Sequence, residues 1–150
     1  MYKKTVEVED FEGNKFTEDL YFNFTKTELT KLNLENRGGM TAVANQIVNE
    51  KDGKKLYEIF EMLILGSYGK KVETEHGTVF LKKPEWTELF KASTAFDKLF
   101  VEFYTNPREF AEFFNAIIPS DTKLSAADLD QVVADAEKKA GLTAVLNAEN

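Results

Sequence analysis

Apolar and polar residues alternate in two short runs at the beginning of the chain, and a period of two is typical of strands with one buried face. In the first run Val6 and Val8 share a face with Lys4, while acidic and hydroxyl side chains occupy the other face. In the second run the apolar face carries Phe16, Leu20, Phe22 and Phe24. The pattern predicts a β-hairpin over residues 2–24.

The turn between the two runs decides which residues pair across the hairpin. A two-residue turn starting at Gly13 would place Val8 opposite Asp19 and would mix core and solvent positions. A type I turn that begins at Asp10 and is followed by a bulge places Val8 opposite Phe16 instead. Because cross-strand partners share a face, we predict the type I turn.

A helical period replaces the alternation after the hairpin. Thr25 and Glu28 have the spacing of a capping box, which predicts a short helix starting there. The sequence Asn-Arg-Gly-Gly at residues 36–39 breaks this helix. A second helix is predicted over about residues 40–50, because its apolar residues recur at helical spacing.

The segment Leu56–Gly69 carries nine large apolar or aromatic residues in fourteen positions. Such a helix has almost no polar face, so we predict that it is central and buried on most sides. Its length and its charged neighbours are incompatible with a membrane span. We expect Gly69 to terminate it as a C-terminal cap.

Aromatic residues dominate the second half of the chain. A charged stretch near residues 72–82, with His76 at its middle, is typical of a loop or a short second hairpin. Three amphipathic helices are then predicted between residues 84 and 118, each preceded by a proline or a polar cap. Their apolar stripes are Trp86, Leu89 and Phe90; Phe96, Leu99, Phe100 and Phe103; and Phe110, Phe113, Phe114 and Ile117.

Together these elements predict an α+β fold that is mainly helical, with the N-terminal β-hairpin packed on a bundle of about five to six helices. Residues 1–119 are expected to form a single globular domain. Aromatic residues are absent from residues 120–150, where alanine becomes abundant. We therefore expect a linker there, followed by a marginal helix or a flexible tail.

Charge and composition exclude several classes of function. The formal net charge is −7, and an acidic chain is repelled by phosphates, so we expect no nucleic-acid partner. The chain has no cysteine, which excludes disulfides and thiolate metal sites. The N-terminus lacks the apolar segment of a signal peptide, and no run of residues is apolar enough to span a membrane. We expect a soluble protein of the cytoplasm without membrane contact.

Candidate catalytic and metal-binding residues are few. The one histidine, His76, lies in a predicted turn, where a surface turn residue is a simpler interpretation than a general base. Asp128, Asp130 and Asp135 resemble calcium ligands, but Val133 occupies the position at which a calcium loop requires glycine. We predict no catalytic residue, no metal site and no cofactor, and a protein that is not an enzyme.

The aromatic stripes allow two interpretations. Aromatic residues at helical spacing usually pack into a core. The chain nevertheless has 13 phenylalanines, and a domain of this size has one core that not all of them can reach. Some of the aromatic residues between positions 84 and 118 could therefore line a groove for a partner helix or form a subunit contact.

Several segments in a fixed order carry a resemblance to a known family. They are the hairpin TVEVEDFEGNKFTEDLYFNFTKTEL, a Gly-Gly break before a helix, the central LILGSYG, the charged turn with GTVFLKKPE, and the aromatic helices FDKLFVEFYTNPREFAEFFNAIIP. In this combination the chain resembles the tail assembly chaperones of long, non-contractile-tailed phages and prophages of low-GC Gram-positive bacteria. The resemblance covers about residues 2–119 and does not extend into the following segment.

The resemblance implies a non-enzymatic role inside the infected cell. Such chaperones bind the long, helical and aggregation-prone tape measure protein, keep it soluble while the tail tube polymerises, and are absent from the finished virion. A longer form made by ribosomal frameshifting recruits the tail tube protein. The alternative is a structural or adaptor protein of a phage particle or bacterial complex, without enzymatic activity.

By analogy with this family, the client surface would draw on the aromatic stripes of the last two helices. The residues we predict for it are Phe100, Phe103, Phe110 and Phe114. The same stripes would also allow a homo-oligomer.

Overall fold

The computed structural model describes residues 1–35, 37–49 and 53–118. In chain order the elements are β1 (Tyr2–Glu9), β2 (Lys15–Phe22), α1 (Lys26–Glu35), α2 (Gly39–Asn49), α3 (Gly53–Ser67), β3 (Tyr68–Thr74), β4 (Gly77–Leu81), α4 (Pro84–Lys91), α5 (Thr94–Thr105) and α6 (Pro107–Ile117). This is the predicted α+β fold, with an N-terminal antiparallel hairpin followed by a mainly helical chain.

The N-terminal hairpin has the predicted turn and register. Val8 pairs with Phe16 along the antiparallel β1–β2 ladder. The N–H of Gly13 donates to the carbonyl of Asp10 at 3.1 Å, and Gly13 has a φ of 84°. The N–H of Asp10 in turn donates to the carbonyl of Asn14 at 2.9 Å, which closes the bulge. The local turn chemistry therefore fixes which face of the hairpin is buried.

The central helix ends earlier than the sequence suggested. α3 stops at Ser67, and Tyr68 and Gly69 are the first residues of β3. These two residues pair with Phe22 and Tyr21 of β2. The prediction that Gly69 caps the helix was therefore wrong, because a strand distant in sequence takes over the backbone hydrogen bonds at this point.

α3 is also less enclosed than its composition predicted. Leu56, Phe60, Leu63 and Ile64 are buried, whereas Tyr57 is 44% exposed and Met62 and Leu65 are half-buried. The helix thus has one core-facing side rather than burial on most sides. Its remaining apolar residues lie along the edges of that side, where they are available for other contacts.

The stretch near residues 72–82 forms the short hairpin rather than a loop. Thr74 of β3 pairs with Gly77 of β4, so the turn consists of Glu75 and His76. The Thr74 hydroxyl accepts from the His76 N–H at 3.1 Å and donates to the Gly77 carbonyl at 2.8 Å. With this hairpin the strands make a four-stranded sheet in the order β1-β2-β3-β4.

The three aromatic helices begin at the predicted caps. The Ser93 hydroxyl accepts from the Phe96 N–H at the start of α5, and the Asn106 side chain accepts from the Glu109 N–H at the start of α6. Their stripes meet the buried face of the hairpin in one core, except for Leu89, which was predicted in the stripe of α4 but is 71% exposed. Its most completely enclosed large side chains are Phe22, Phe103, Phe110, Phe113, Leu20, Leu63, Ile64, Leu99 and Ile117.

Some predictions fall beyond the part of the chain that the structure describes. They are the linker and marginal helix or tail over residues 120–150, and the proline stop at Pro119. The extent of the domain to residue 119 stays a prediction for the same reason. No helix among the described residues has the length and apolar character needed to cross a membrane.

Candidate functional site

The four phenylalanines predicted for a client surface have very different surroundings. Phe103, Phe110 and Phe114 are 1%, 2% and 3% exposed, whereas Phe100 is half-buried. The Phe110 ring stacks on the Phe60 ring with a centroid distance of 4.0 Å. Contact of a partner with the three buried rings would require the core to open. In the described fold, Phe100 is the member of this set that reaches the surface.

Phe100 lies in a small aromatic surface between α3 and α5. Its ring centroid is 4.9 Å from that of Tyr57 on α3 and 6.2 Å from that of Tyr104, one turn further along α5. Tyr57 is 44% exposed and Val101 is 54% exposed. We call the set Tyr57, Phe100, Val101 and Tyr104 the aromatic patch.

The helical period of α5 explains why the patch is half-buried. Leu99 and Phe103 occupy the centre of the stripe and are 0% and 1% exposed. Phe100 and Tyr104 form a second row, four residues apart, at the edge of that stripe. Side chains at such an edge are supported from below by core rings and still present a face to solvent.

Tyr57 could not be recognised as a surface residue from the sequence pattern, because the apolar run around it predicted burial. The signal that could have identified it is the position of Glu58 and Glu61, which mark the solvent side of α3. Tyr57 lies next to this side on a helical projection. It hydrogen-bonds Glu61, which raises the pKa of the Tyr57 phenol.

A charged contact borders the patch. Lys91 of α4 forms an ion pair with Glu61 of α3 at 3.0 Å. The hydrogen bond and the charge of Glu61 raise the pKa of Lys91. One side of the patch is therefore polar, as in protein interfaces whose apolar centre is surrounded by a polar rim.

A second charged cluster lies between the hairpin and the last two helices. Lys4 of β1 donates to the carboxylates of Glu102 and Glu109, and the Tyr2 hydroxyl donates to Glu109 at 3.3 Å. Burial alone would lower the pKa of Lys4, but these hydrogen bonds and charges raise it above its ordinary value. Such an amine stays protonated at neutral pH, and its ion pairs hold β1 against α5 and α6.

The polar residues considered for chemistry are dispersed. His76 is exposed in the β3–β4 turn. Within residues 1–35, 37–49 and 53–118, no group of three or more His, Asp and Glu side chains is arranged to hold a metal ion. The acidic residues near position 130 lie outside these ranges. The aromatic patch is therefore taken as the candidate surface for a contact with a partner.

Comparison with known proteins adds one finding to this geometry. A model of the family described as phage tail assembly chaperone matches residues 1–148. No curated protein and no solved structure matches the chain. The match includes every element that carries the resemblance in the sequence, and it also extends beyond residue 119, where the sequence alone had shown no resemblance. The chain belongs to the phage tail assembly chaperone family.

Proposed function

We propose that this protein binds the tape measure protein of its phage, keeps it soluble and assists polymerisation of the tail tube around it. Membership of the tail assembly chaperone family supports the class of function. The observation that carries the binding mode is the aromatic patch, where exposed apolar side chains rest on a rigid aromatic core.

The physical demands on such a chaperone match the composition of this chain. A helical client with an apolar stripe needs apolar surface to cover it, which the patch supplies. The complex must then remain soluble, and a net charge of −7 provides repulsion between complexes. Binding without a chemical step also agrees with the assembly role of the family.

We assign Phe100 to direct contact with the client. Phe110 supports it from the core, because Phe110 stacks on Phe60 and the Phe60 ring lies 6.3 Å from that of Phe100. Phe103 and Phe114 contribute through Phe110, whose ring centroid is 6.0 Å and 6.5 Å from theirs. The proposal thus divides the four predicted residues into one contact residue and three that hold the surface in place.

The remaining partners and the location follow from the same proposal. The tail tube protein would be recruited through a longer frameshifted form of the chain, and the chaperone itself could act as a homo-oligomer. It would act in the cytoplasm of the bacterial host, during phage or prophage morphogenesis, and would be absent from the mature virion.

The test is co-expression with fragments of the tape measure protein encoded by the same phage. The wild-type chain should move a fragment into the soluble fraction. Val101→Lys and Tyr57→Lys each place a charge within the patch, and we expect about tenfold weaker binding to the fragment from each. Binding is measured by calorimetry on the soluble complex.

Leu89→Lys is the matched control for these variants. Leu89 is 71% exposed on α4 and lies outside the patch, so the same exchange of an apolar residue for lysine should leave client binding unchanged. Circular dichroism must show that all three variants are folded. Failure of the wild-type chain to solubilise any of several fragments would contradict the proposed function.

A structural or adaptor role is separated by the composition of the particle. A chaperone that leaves before completion should be missing from purified virions when their proteins are identified by mass spectrometry. Stoichiometric recovery of this chain from virions would favour the structural role instead.

A further inference from the structure

A groove with an apolar floor runs between α3 and the beginning of α4. It encloses about 850 Å³, and its floor contains the half-buried side chains of Met62 and Leu65. These two residues pack against the edge of the core and also line the groove. Pro84, at the first turn of α4, forms part of the facing wall. The groove shares Glu61 with the border of the aromatic patch, but none of the four residues of the patch lines it.

Two contacts, one at each end of the groove, show how α3 and α4 are oriented relative to each other. Near one end Lys91 pairs with Glu61 at 3.0 Å, and near the other Lys82 donates to the carbonyl of Gly66 at 2.7 Å. The chain from position 91 back to position 82 therefore follows α3 from Glu61 to Gly66, and the two helices are antiparallel here. Each end of the groove is held in place by a lysine that crosses between the walls.

The rim of the groove is polarised. Glu58, Glu61 and Glu88 line the end at which Lys91 crosses, and Lys82 and Lys83 line the other. Lys91 neutralises Glu61, which leaves the exposed Glu58 and Glu88 to set the sign of that end. Lys82 pairs with Glu28, which leaves the exposed Lys83 to set the sign of the opposite end. An apolar floor thus lies between an acidic end and a basic end.

We propose that this groove binds an amphipathic helix of a second protein, with basic residues at one end of its apolar stripe and acidic residues at the other. Two helical walls accept a third helix by the packing of its side chains between theirs. The distance along α3 from Glu58 to Gly66 corresponds to about 12 Å, or roughly two helical turns. The opposed charges fix the direction in which the helix lies, because the reversed helix would place like charges together.

A second copy of this chain does not supply such a helix from its described residues. The large apolar residues that are exposed on its helices occur singly: Leu34 on α1, Tyr57 on α3, Leu89 on α4 and Val101 on α5. The row of Phe100 and Tyr104 on α5 is half-buried against the core, so these described residues do not form a row of fully exposed apolar side chains.

The probe is a synthetic helix of about 15 residues, since shorter isolated helices are marginal in water. It carries leucines at helical spacing, glutamates in its first turn and lysines in its last turn, an arrangement that its own dipole favours. A second peptide has the same leucines with glutamine in place of every charge. We expect the full-length wild-type chain to bind the charged peptide about tenfold more tightly than the neutral one at low salt.

The variant Glu58→Lys with Glu88→Lys should abolish this preference. Glu73→Lys with Glu75→Lys is the matched control, because it makes the same change of charge on exposed residues outside the groove. The control should keep the preference, as should Val101→Lys in the aromatic patch. Equal preference in the groove variant and its control would overturn the proposal, and so would absence of binding by the wild-type chain.

The occupant is identified by cross-linking from the floor. The chain has no cysteine, so Leu65→Cys offers a single attachment point for a photo-reactive label. A product with the charged peptide supports the proposal. A product with a second copy, or with residues after position 118 of the same chain, would replace it with self-association or with occupation by the chain's own end. Because Val101→Lys tests the client surface separately, failure of one proposal leaves the other intact.

Discussion

Gly69 shows how strongly a single position can be constrained by its neighbours. A Cβ atom at this position would lie 2.8 Å from the carbonyl oxygen of Leu81 and 2.8 Å from the Phe80 ring. Real Cβ atoms do not approach other atoms so closely, and the carbonyl belongs to the backbone of β4. Glycine is required at this point because the two strands approach each other, not because a helix ends there.

We predict that Gly69→Ala destabilises the protein by about 2 kcal/mol, the usual cost of overpacking a close contact. Urea unfolding followed by circular dichroism measures the change. Gly53→Ala is the control, because a Cβ at Gly53 meets nothing within 4 Å. Equal free energies of unfolding for the two variants would show that β3 and β4 separate at little cost.

Contacts between residues that are close in sequence could be predicted from local chemistry alone. The turn from Asp10 to Gly13 and the pairing of Val8 with Phe16 follow from turn preferences and from the shared face. The periodicity that identified the aromatic stripe of α5 could not separate Phe100 from Phe103. Their exposure differs because Phe100 meets Tyr57 of α3, and the angle between two helices is not contained in the period of one.

At the scale of the elements, the capping box that starts α1 also makes a tertiary contact. The Thr25 hydroxyl accepts from the Glu28 N–H at 3.1 Å, and the Glu28 carboxylate accepts from the Thr25 N–H at 3.1 Å. The second carboxylate oxygen of Glu28 accepts from Lys82, which follows β4. The capping box therefore starts the helix and also attaches it to the second hairpin.

Thr25→Ala should destabilise the protein by about 1 kcal/mol, because it leaves the Glu28 N–H in the first turn of α1 without its side-chain acceptor. Thr27→Ala is the control, since Thr27 is exposed in the same first turn. Hydrogen exchange should be faster at the Glu28 amide in Thr25→Ala and unchanged in Thr27→Ala. An unchanged exchange rate in both variants would mean that the cap contributes nothing to α1.

Element starts were more predictable than element ends. Thr25, Ser93 and Asn106 cap helices through residues three positions away, so the sequence contains both partners. The end of α3 depends instead on the residue that follows β2, because the Asn23 N–H donates to the carbonyl of Ser67 at 2.8 Å. A pattern read along α3 alone contains no information about that strand.

At the scale of the whole molecule, the N-terminal hairpin joins the last two helices to the rest of the fold. The Phe24 N–H donates to the carbonyl of Ile117 at 2.9 Å and satisfies the carboxyl end of α6. Lys4 lies between Glu102 of α5 and Glu109 of α6. The residues that support the aromatic patch are thus held by contacts that begin within the first strand.

The carboxylate of Glu102 makes this attachment sensitive to acid. Burial alone would raise the pKa of Glu102, but the hydrogen bond from Lys4 and the positive charges of Lys4 and Lys98 outweigh it and place the pKa below the ordinary value of 4.5. The unfolded chain therefore takes up the proton first as the pH falls. The stability that the contact contributes is present above pH 4.5 and is lost as the pH falls through the lower pKa of the folded state.

Glu102→Gln should lower the free energy of unfolding by about 1 kcal/mol at neutral pH, near the upper end for a partly exposed ion pair. The difference from the wild-type chain should shrink as the pH falls below 4.5. Glu112→Gln, on the exposed side of α6, serves as the control for the loss of one charge. Urea unfolding between neutral and acidic pH gives both curves.

Both variants should still lose some stability at acidic pH, because hydrogen bonds from Asn14 lower the pKa of Asp10 in the hairpin turn. The informative quantity is therefore the difference between Glu102→Gln and wild type at each pH, and not the slope of either curve. A difference that stays constant down to acidic pH would place the contribution of Glu102 in packing rather than in its charge. The contact with Lys4 would then hold α5 in place through its geometry alone, and protonation in acid would leave the aromatic patch intact.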